Sequence, residues 1–119
     1  MSETKKLVDT IKESIQEKKG KRIVIADLTK IDEAMFDYFV ICEGESPTQV
    51  SAIVRSVDEG VKKTEHVDPA SVAGLQNAQW VAMDYADVIV HVFQPEARRF
   101  YNLEHLWADA QLTEIADEF

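Results

Sequence analysis

Residues 37–50, DYFVICEGESPTQV, contain a complete junction of a strand, a turn and a helix. The apolar run 38–42 predicts a buried strand. Ser46 suits the N-cap of the following helix, because Pro47 then occupies its first position and Gln49 stands three residues after the cap, the spacing of a capping box. The helix itself is predicted by apolar residues at helical spacing, which are Val50, Ile53, Val54, Val57 and Val61.

Upstream of this junction, the sequence predicts one helix and one further strand. Ser2 suits the N-cap of the helix and Gly20 its end. Residues 22–28 are mostly apolar and rich in β-branched side chains, which favours a strand. Because both strands are apolar on both faces, we expect both sides of the sheet to be covered near them. The helix has one apolar stripe, formed by Leu7, Val8, Ile11 and Ile15.

Downstream, the pattern predicts a β-hairpin and a final helix. Residues 80–83 and 88–93 are two apolar runs on either side of the turn 84–87. A short strand is also expected near residues 65–67. Pro95 suits the first turn of the last helix. Its core face is predicted to consist of Phe100, Leu103 and Trp107.

Together these elements predict one α/β domain, in which a mixed β-sheet is flanked by helices. The chain has 119 residues, 45% of them hydrophobic and 29% charged, as is typical of a soluble globular domain. We place the domain at residues 1–110. Residues 111–119 contain three acidic residues and no basic one, so we expect them to form an acidic C-terminal tail.

The charge and the single cysteine exclude several classes of function. Thirteen basic and 22 acidic residues give a net charge of −9, which disfavours binding to nucleic acid or to an anionic membrane. Cys42 cannot form an internal disulfide, and no cysteine cluster is present to hold zinc. No apolar run reaches the length of a membrane span and no secretory signal precedes the domain, so we expect a cytoplasmic protein.

The acidic residues are unevenly distributed. Residues 1–22 carry seven basic and four acidic groups, a net charge of +3, which leaves −12 for the rest of the chain. An acidic body of this kind attracts basic protein surfaces at long range. Solvation of the surface alone is the alternative explanation, and the sequence leaves both open.

Two sets of residues suggest enzyme chemistry without completing it. Ser46 lies in a strand–turn–helix junction like that of a hydrolase nucleophile, but Thr48 occupies the position where that turn needs a small residue. Asp87 suggests a nucleotidyltransferase, but Ile89 stands where the second metal-binding carboxylate would be. We therefore expect no metal, no cofactor and no enzyme activity. The alternative is a residual nucleotidyltransferase-like enzyme that binds phosphate through Ser46 and Asp87.

Aromatic residues offer a different kind of site. Trp80 and Tyr85 belong to the hairpin, which also carries the acidic residues Asp84 and Asp87. Exposed aromatic residues surrounded by polar groups are typical of the centre of a protein interface. The residues themselves leave core and interface positions equally open. A homodimer of the free chain, with the hairpin aromatics paired against each other, is a further alternative.

The order and spacing of these residues resemble the ribosomal silencing factor family, also called the RsfS or Iojap family. The resemblance extends from about residue 3 to residue 110, and the block 84–107 is its most specific part. Among its carriers are the run 37–41, Gly44, Ser46, Gln49, Trp80, Asp84, Tyr85, Asp87, His91, Phe93, Arg98, Phe100, Tyr101, Leu103, Glu104, Leu106, Trp107, Asp109 and Ala110.

The resemblance implies a non-enzymatic bacterial protein whose fold is related in outline to nucleotidyltransferases but lacks their catalytic carboxylates. Members of this family bind a basic large-subunit ribosomal protein of the L-fourteen class. The bound factor stands where the small subunit must dock, and translation is repressed. The resemblance places the partner-binding surface on Trp80, Met83, Asp84, Tyr85, Asp87 and His91.

The sequence departs from the family in the hairpin turn. Ala86 stands where the family often has glycine, so the backbone there is not expected to adopt positive φ freely. This departure affects the finer contacts and leaves the expected fold and role unchanged.

Overall fold

Three helices and six strands alternate along the residues that the computed structural model describes, which are 3–103 and 110–117. Their order confirms the prediction of an α/β domain. The elements are α1 (Glu3–Glu17), β1 (Lys21–Asp27), β2 (Tyr38–Glu43), α2 (Pro47–Glu65), β3 (Ser71–Ala73), β4 (Trp80–Asp84), β5 (Val88–Phe93), α3 (Pro95–Tyr101) and β6 (Gln111–Ile115).

The six strands form one mixed sheet in the order β3-β4-β5-β2-β1-β6. Only the central pair, β2 and β5, is parallel, and the other four pairs are antiparallel. Every residue of β2 is buried, as its apolar sequence predicts for a strand that is covered on both faces. The predicted hairpin of β4 and β5 is confirmed.

The junction between β2 and α2 is built as its sequence predicts. The Ser46 side chain accepts a hydrogen bond from the Gln49 backbone N–H at 3.1 Å, and Pro47 begins the helix. The Gln49 side chain accepts from the Glu45 backbone N–H at 2.7 Å, one residue before the cap. Its amide group also donates to the Lys18 carbonyl at 3.3 Å. This glutamine therefore joins the start of α2 to the chain that follows α1.

Helices α1 and α2 pack side by side on one face of the sheet. Their apolar stripes and the side chains of the strands beneath them form the larger core cluster. Ser56 on α2 donates a hydrogen bond to the Ser14 carbonyl of α1 at 2.8 Å. Gly60 allows the close approach, because a Cβ atom there would lie 2.2 Å from the Ser14 hydroxyl. We call this side of the sheet the helix face.

The opposite side, which we call the open face, is covered in two places by the described residues, which leave it partly open between them. The chain around Ile31 to Phe36 packs on one part of it, and α3 packs on another. The smaller core cluster beneath them consists of Ala26, Leu28, Phe39, Ile41 and Phe93.

Two expectations about the local structure are wrong. No strand forms at residues 65–67, because α2 continues to Glu65 and the backbone then turns at His66; the strand β3 lies further on. Helix α3 ends at Tyr101, where Asn102 adopts a left-handed conformation, and Phe100 is 81% exposed instead of belonging to the core. The prediction for Trp107 falls outside the described residues.

The segment after residue 110 contains a strand. Residues 111–119 are expected to be an acidic tail, yet Gln111–Ile115 pair with β1 as the edge strand β6. Their side chains are mostly exposed, so no apolar pattern in the sequence predicts the strand. The pairing of β1 with β2 is irregular at Arg22. There the Arg22 backbone N–H donates to Asp117 at 3.0 Å, close after β6, and the Arg22 carbonyl accepts from Arg98 at 2.6 Å.

Candidate docking face

The side chains of the hairpin divide between the two faces of the sheet because successive residues of a strand point to opposite sides. Trp80, Ala82 and Asp84 of β4 lie on the open face. Val81 and Met83 lie on the helix face, where both belong to the larger core cluster. The same alternation places Ile89, His91 and Phe93 of β5 on the open face.

Trp80 lies on the open face next to α3. Its ring stacks on Phe93 with centroids 5.2 Å apart and contacts Tyr101 of α3 at 4.6 Å. Its indole N–H donates a hydrogen bond to Nδ1 of His91 at 2.9 Å. The side chain is only partly buried, so a fixed aromatic ring is presented at the surface.

His91 lies at the N–H edge of this ring and is 5% exposed. Its imidazole also contacts Phe39 edge to face, with centroids 5.4 Å apart. Burial lowers the pKa of His91 to about 4, because the surrounding apolar groups disfavour the charged form. The neutral imidazole can therefore accept the hydrogen bond from the indole N–H at Nδ1.

A continuous series of ring contacts extends from Trp80 in both directions. On one side it continues through His91 and Phe39 to Phe36, whose ring centroid lies 6.2 Å from that of Phe39. On the other side it passes through Tyr101 to the exposed Phe100. We define the docking face as Trp80, Ala82, Ile89, Phe36, Phe100 and Tyr101.

Several of these residues are absent from the sequence prediction. Phe100 and Tyr101 are missed because the spacing of Phe100 from Leu103 predicts a shared core face, whereas α3 ends at Tyr101, between these two residues. Phe36 and the neighbouring Met35, which is 87% exposed, carry one usable signal: two large apolar side chains together in a polar connector.

The structure places three of the predicted partner-binding residues inside the protein: His91, described above, and Met83 and Tyr85. Met83 is fully buried on the helix face, and Tyr85 is 5% exposed and belongs to the same core cluster. Burial also raises the pKa of the Tyr85 hydroxyl. Of the two positions that the sequence leaves open for Tyr85, the structure shows the core position, and both Met83 and Tyr85 support the hairpin from within.

Acidic side chains lie at the turn end of the hairpin. Asp87 and Asp37 are exposed, and they are neighbours because the Asp37 backbone N–H donates to the Asp87 carbonyl at 2.7 Å. Asp84 is partly exposed, and its Oδ1 accepts from the Ala86 N–H at 2.8 Å. Ala86 has a φ of +72°, so this turn does adopt positive φ without glycine. We call Asp37, Asp84 and Asp87 the acidic rim.

The residues of the enzyme alternative do not meet. Strands β2 and β5 run parallel over six paired residues. Asp87 precedes one end of this pair and Ser46 follows the other, a separation of about 20 Å along the strands at roughly 3.3 Å per residue. The Ser46 hydroxyl is also occupied by the helix cap. Within residues 3–103 and 110–117, no three histidine, cysteine or acidic side chains are grouped closely enough to hold a metal ion.

Cys42 is likewise unsuited to chemistry. It is fully buried in β2, and burial raises the pKa of its thiol to about 12. The described part of the chain contains no helix of the length and apolar character that crossing a bilayer requires.

Fold and surface together define a single-domain α/β protein whose most distinctive feature is a partly open aromatic face on a mixed sheet. The sequence matches the family described as "Ribosomal silencing factor during starvation" over residues 1–118. The chain belongs to this ribosomal silencing factor family, as its resemblance predicts.

Individual relatives agree. The chain is 35% identical over 102 residues to the ribosomal silencing factor RsfS of Halalkalibacterium halodurans, covering 86% of each chain. It is 35% identical over 91 residues to mouse "Mitochondrial assembly of ribosomal large subunit protein 1", covering 69% of this chain and 39% of that protein. A crystal structure of a Chromobacterium violaceum protein superposes with a TM-score of 0.84 at 32% identity, covering 89% of this chain and 87% of that one.

Proposed function

We propose that this protein represses translation by binding the large ribosomal subunit and blocking its union with the small subunit. The partner would be a basic ribosomal protein of the L-fourteen class, the contact would be the docking face, and the block would be steric. Family membership supports a ribosomal role, and the name of the mouse relative points to the large subunit. The observation that carries the proposal is the aromatic docking face beside the acidic rim.

Charge favours a basic partner. The chain carries a net charge of −9, and Asp37, Asp84 and Asp87 lie at one end of the hairpin that bears Trp80. Complementary charge accelerates encounter with a cationic surface and opposes association with a second acidic copy. For this reason we favour a ribosomal partner over the homodimer, which light scattering at several protein concentrations would detect. A ribosomal partner also implies a location in the bacterial cytoplasm.

Apolar contact would supply most of the residence time. A partly exposed tryptophan held by neighbouring rings is the type of residue that dominates binding energies, and its truncation typically costs about 2 kcal/mol or more. Of the residues predicted from sequence, we retain Trp80, Asp84 and Asp87 as direct contacts and add Phe36, Phe100 and Tyr101. Met83 and Tyr85 act from the core.

Co-sedimentation with purified large subunits tests the proposal. We expect Trp80→Ala to weaken binding roughly 30-fold, which corresponds to about 2 kcal/mol. Leu75→Ala is the matched control, because Leu75 is also partly exposed but lines a surface with residues of the helix face. A folded Trp80→Ala variant that binds as tightly as the unsubstituted protein would rule out this docking face.

Subunit joining tests the mechanism separately. Large subunits incubated with the protein before small subunits are added should join more slowly, as followed by light scattering. Trp80→Ala should restore the rate, whereas Leu75→Ala should not. Chemical cross-linking of the bound complex then identifies the ribosomal protein in contact. Binding without any effect on joining would refute the steric mechanism and leave the ribosomal partner intact.

A further inference from the structure

The hydrogen bond between Trp80 and His91 suggests a role for His91 that differs from direct contact with a partner. We propose that His91 is a positioning residue, which fixes the Trp80 ring for docking by accepting a hydrogen bond from its indole N–H. This inference rests on the proposed function. The observation that carries it is the 2.9 Å bond between Trp80 Nε1 and His91 Nδ1, formed by an imidazole that is itself almost fully buried.

The bond has two physical consequences for binding. First, the indole N–H is satisfied inside the protein, so the partner need not supply an acceptor and the exposed part of Trp80 behaves as carbon surface. Second, the ring is held against Phe93 and Tyr101 before the partner arrives, which lowers the entropy cost of ordering it during association.

The position of His91 excludes simpler roles. With 5% of its surface exposed, it offers little area to a partner, and its neighbours on the open face are the rings of Trp80, Phe93 and Phe39. Apolar packing alone would be served by a leucine or phenylalanine. A histidine at this place is explained by its acceptor nitrogen, since a buried indole N–H usually finds a partner.

A matched pair of variants separates the acceptor from the packing. In His91→Asn, a carbonyl oxygen is attached to Cγ, as Nδ1 is in histidine, and can take its place as acceptor. In His91→Leu, the side chain has nearly the same shape as that of asparagine but has no acceptor. We expect His91→Asn to bind large subunits within about threefold of the unsubstituted protein and His91→Leu to bind about tenfold more weakly.

Hydrogen exchange of the indole N–H, measured by NMR, follows the bond directly. The Trp80 signal is the one that disappears in Trp80→Phe. Its exchange should remain slow in His91→Asn and become at least tenfold faster in His91→Leu. Thermal unfolding of each variant establishes that it is folded. Should His91→Leu fail to fold, Trp80→Phe removes the donor while keeping a ring, and should weaken binding about tenfold.

Three results would overturn the inference. One is a folded His91→Leu, or a Trp80→Phe, that binds with unchanged affinity. Another is slow indole exchange that persists in His91→Leu. The third is weak binding by His91→Asn although its indole exchange stays slow, since the imidazole itself would then contact the partner. If the unsubstituted protein fails to bind large subunits, the proposed function fails, and this is distinguishable because the exchange pattern is measured without ribosomes.

Discussion

Replacing Ala86 with glycine should stabilise the protein. Ala86 has a φ of +72° in the turn between β4 and β5, where the Asp87 N–H donates to the Tyr85 carbonyl at 2.8 Å across it. A three-residue turn with positive φ is rare and strained, because the Cβ atom crowds the backbone. The Ala86 N–H donates to Asp84 Oδ1 and the Asp87 carbonyl accepts from the Asp37 N–H, and these neighbouring hydrogen bonds hold the residue in this conformation.

The expected gain is the difference between two terms. The left-handed conformation costs a non-glycine residue about 1–2 kcal/mol, which glycine would not lose. Glycine also makes the unfolded chain more flexible, which costs about 0.4–1 kcal/mol. Ala86 is exposed, so removing its methyl group leaves no cavity. The net effect of Ala86→Gly should be about 0.5–1 kcal/mol of added stability, or roughly 2–4 °C in Tm for a chain of this length.

Urea and thermal unfolding followed by circular dichroism measure this change. Ala73→Gly is the matched control, because Ala73 is also exposed and lies in the edge strand β3, outside the positive-φ residues. It should lose stability through the unfolded state alone. If Ala86→Gly destabilises the protein as much as Ala73→Gly does, the turn is not strained and the reasoning is wrong.

The remaining predictions concern buried groups. Arg98→Met should lower the free energy of unfolding by about 3 kcal/mol, because it leaves the buried Glu43 carboxylate, 3.4 Å from Arg98, without that partner. The control is Lys62→Met, in an exposed ion pair, which should cost under about 1 kcal/mol. Equal losses in urea unfolding would contradict the role of burial. The Cys42 thiol, with its pKa raised to about 12 by burial, should react with a thiol reagent at pH 8 only at the rate of unfolding, and rapid labelling of the folded protein would disprove its burial. Since burial lowers the pKa of His91 to about 4, the unfolded chain binds this proton more tightly, so stability should fall from pH 6.5 towards pH 4; urea unfolding of His91→Asn should lack this part of the pH dependence, and an unchanged slope would refute it.

The elements with strong local signals agree with their sequence predictions. The cap at Ser46 and the helix after it depend on residues that lie within a few positions of one another, so their pattern is complete in the sequence. The hairpin of β4 and β5 is equally local. The strand β6 could not be predicted, because its stability comes from pairing with β1 about 90 residues earlier and its exposed side chains carry no alternation.

The docking face illustrates the same division. The sequence identifies Trp80 as a candidate anchor and Asp84 and Asp87 as its acidic neighbours, and the structure places all three at or near the surface. The sequence alone does not show that Tyr85 is buried while Trp80 is partly exposed. The alternation of side chains in the strand ends at the turn, and Tyr85 packs against the core. Nor does the sequence reveal Phe36 and Phe100 as members, since each comes from a different segment.

Composition, short-range spacing and family resemblance thus establish the α/β class, the main elements and the expected ribosomal role from the chain alone. Tertiary packing decides which aromatic side chains remain accessible and which of them have a hydrogen-bond partner, and it places the buried His91 at the indole N–H of Trp80. The physical reason is that burial depends on what covers each face of the sheet. The covering segments are the connector before β2 and the helix α3. The connector lies far from the hairpin in sequence, and α3 ends at a residue that the local pattern does not indicate.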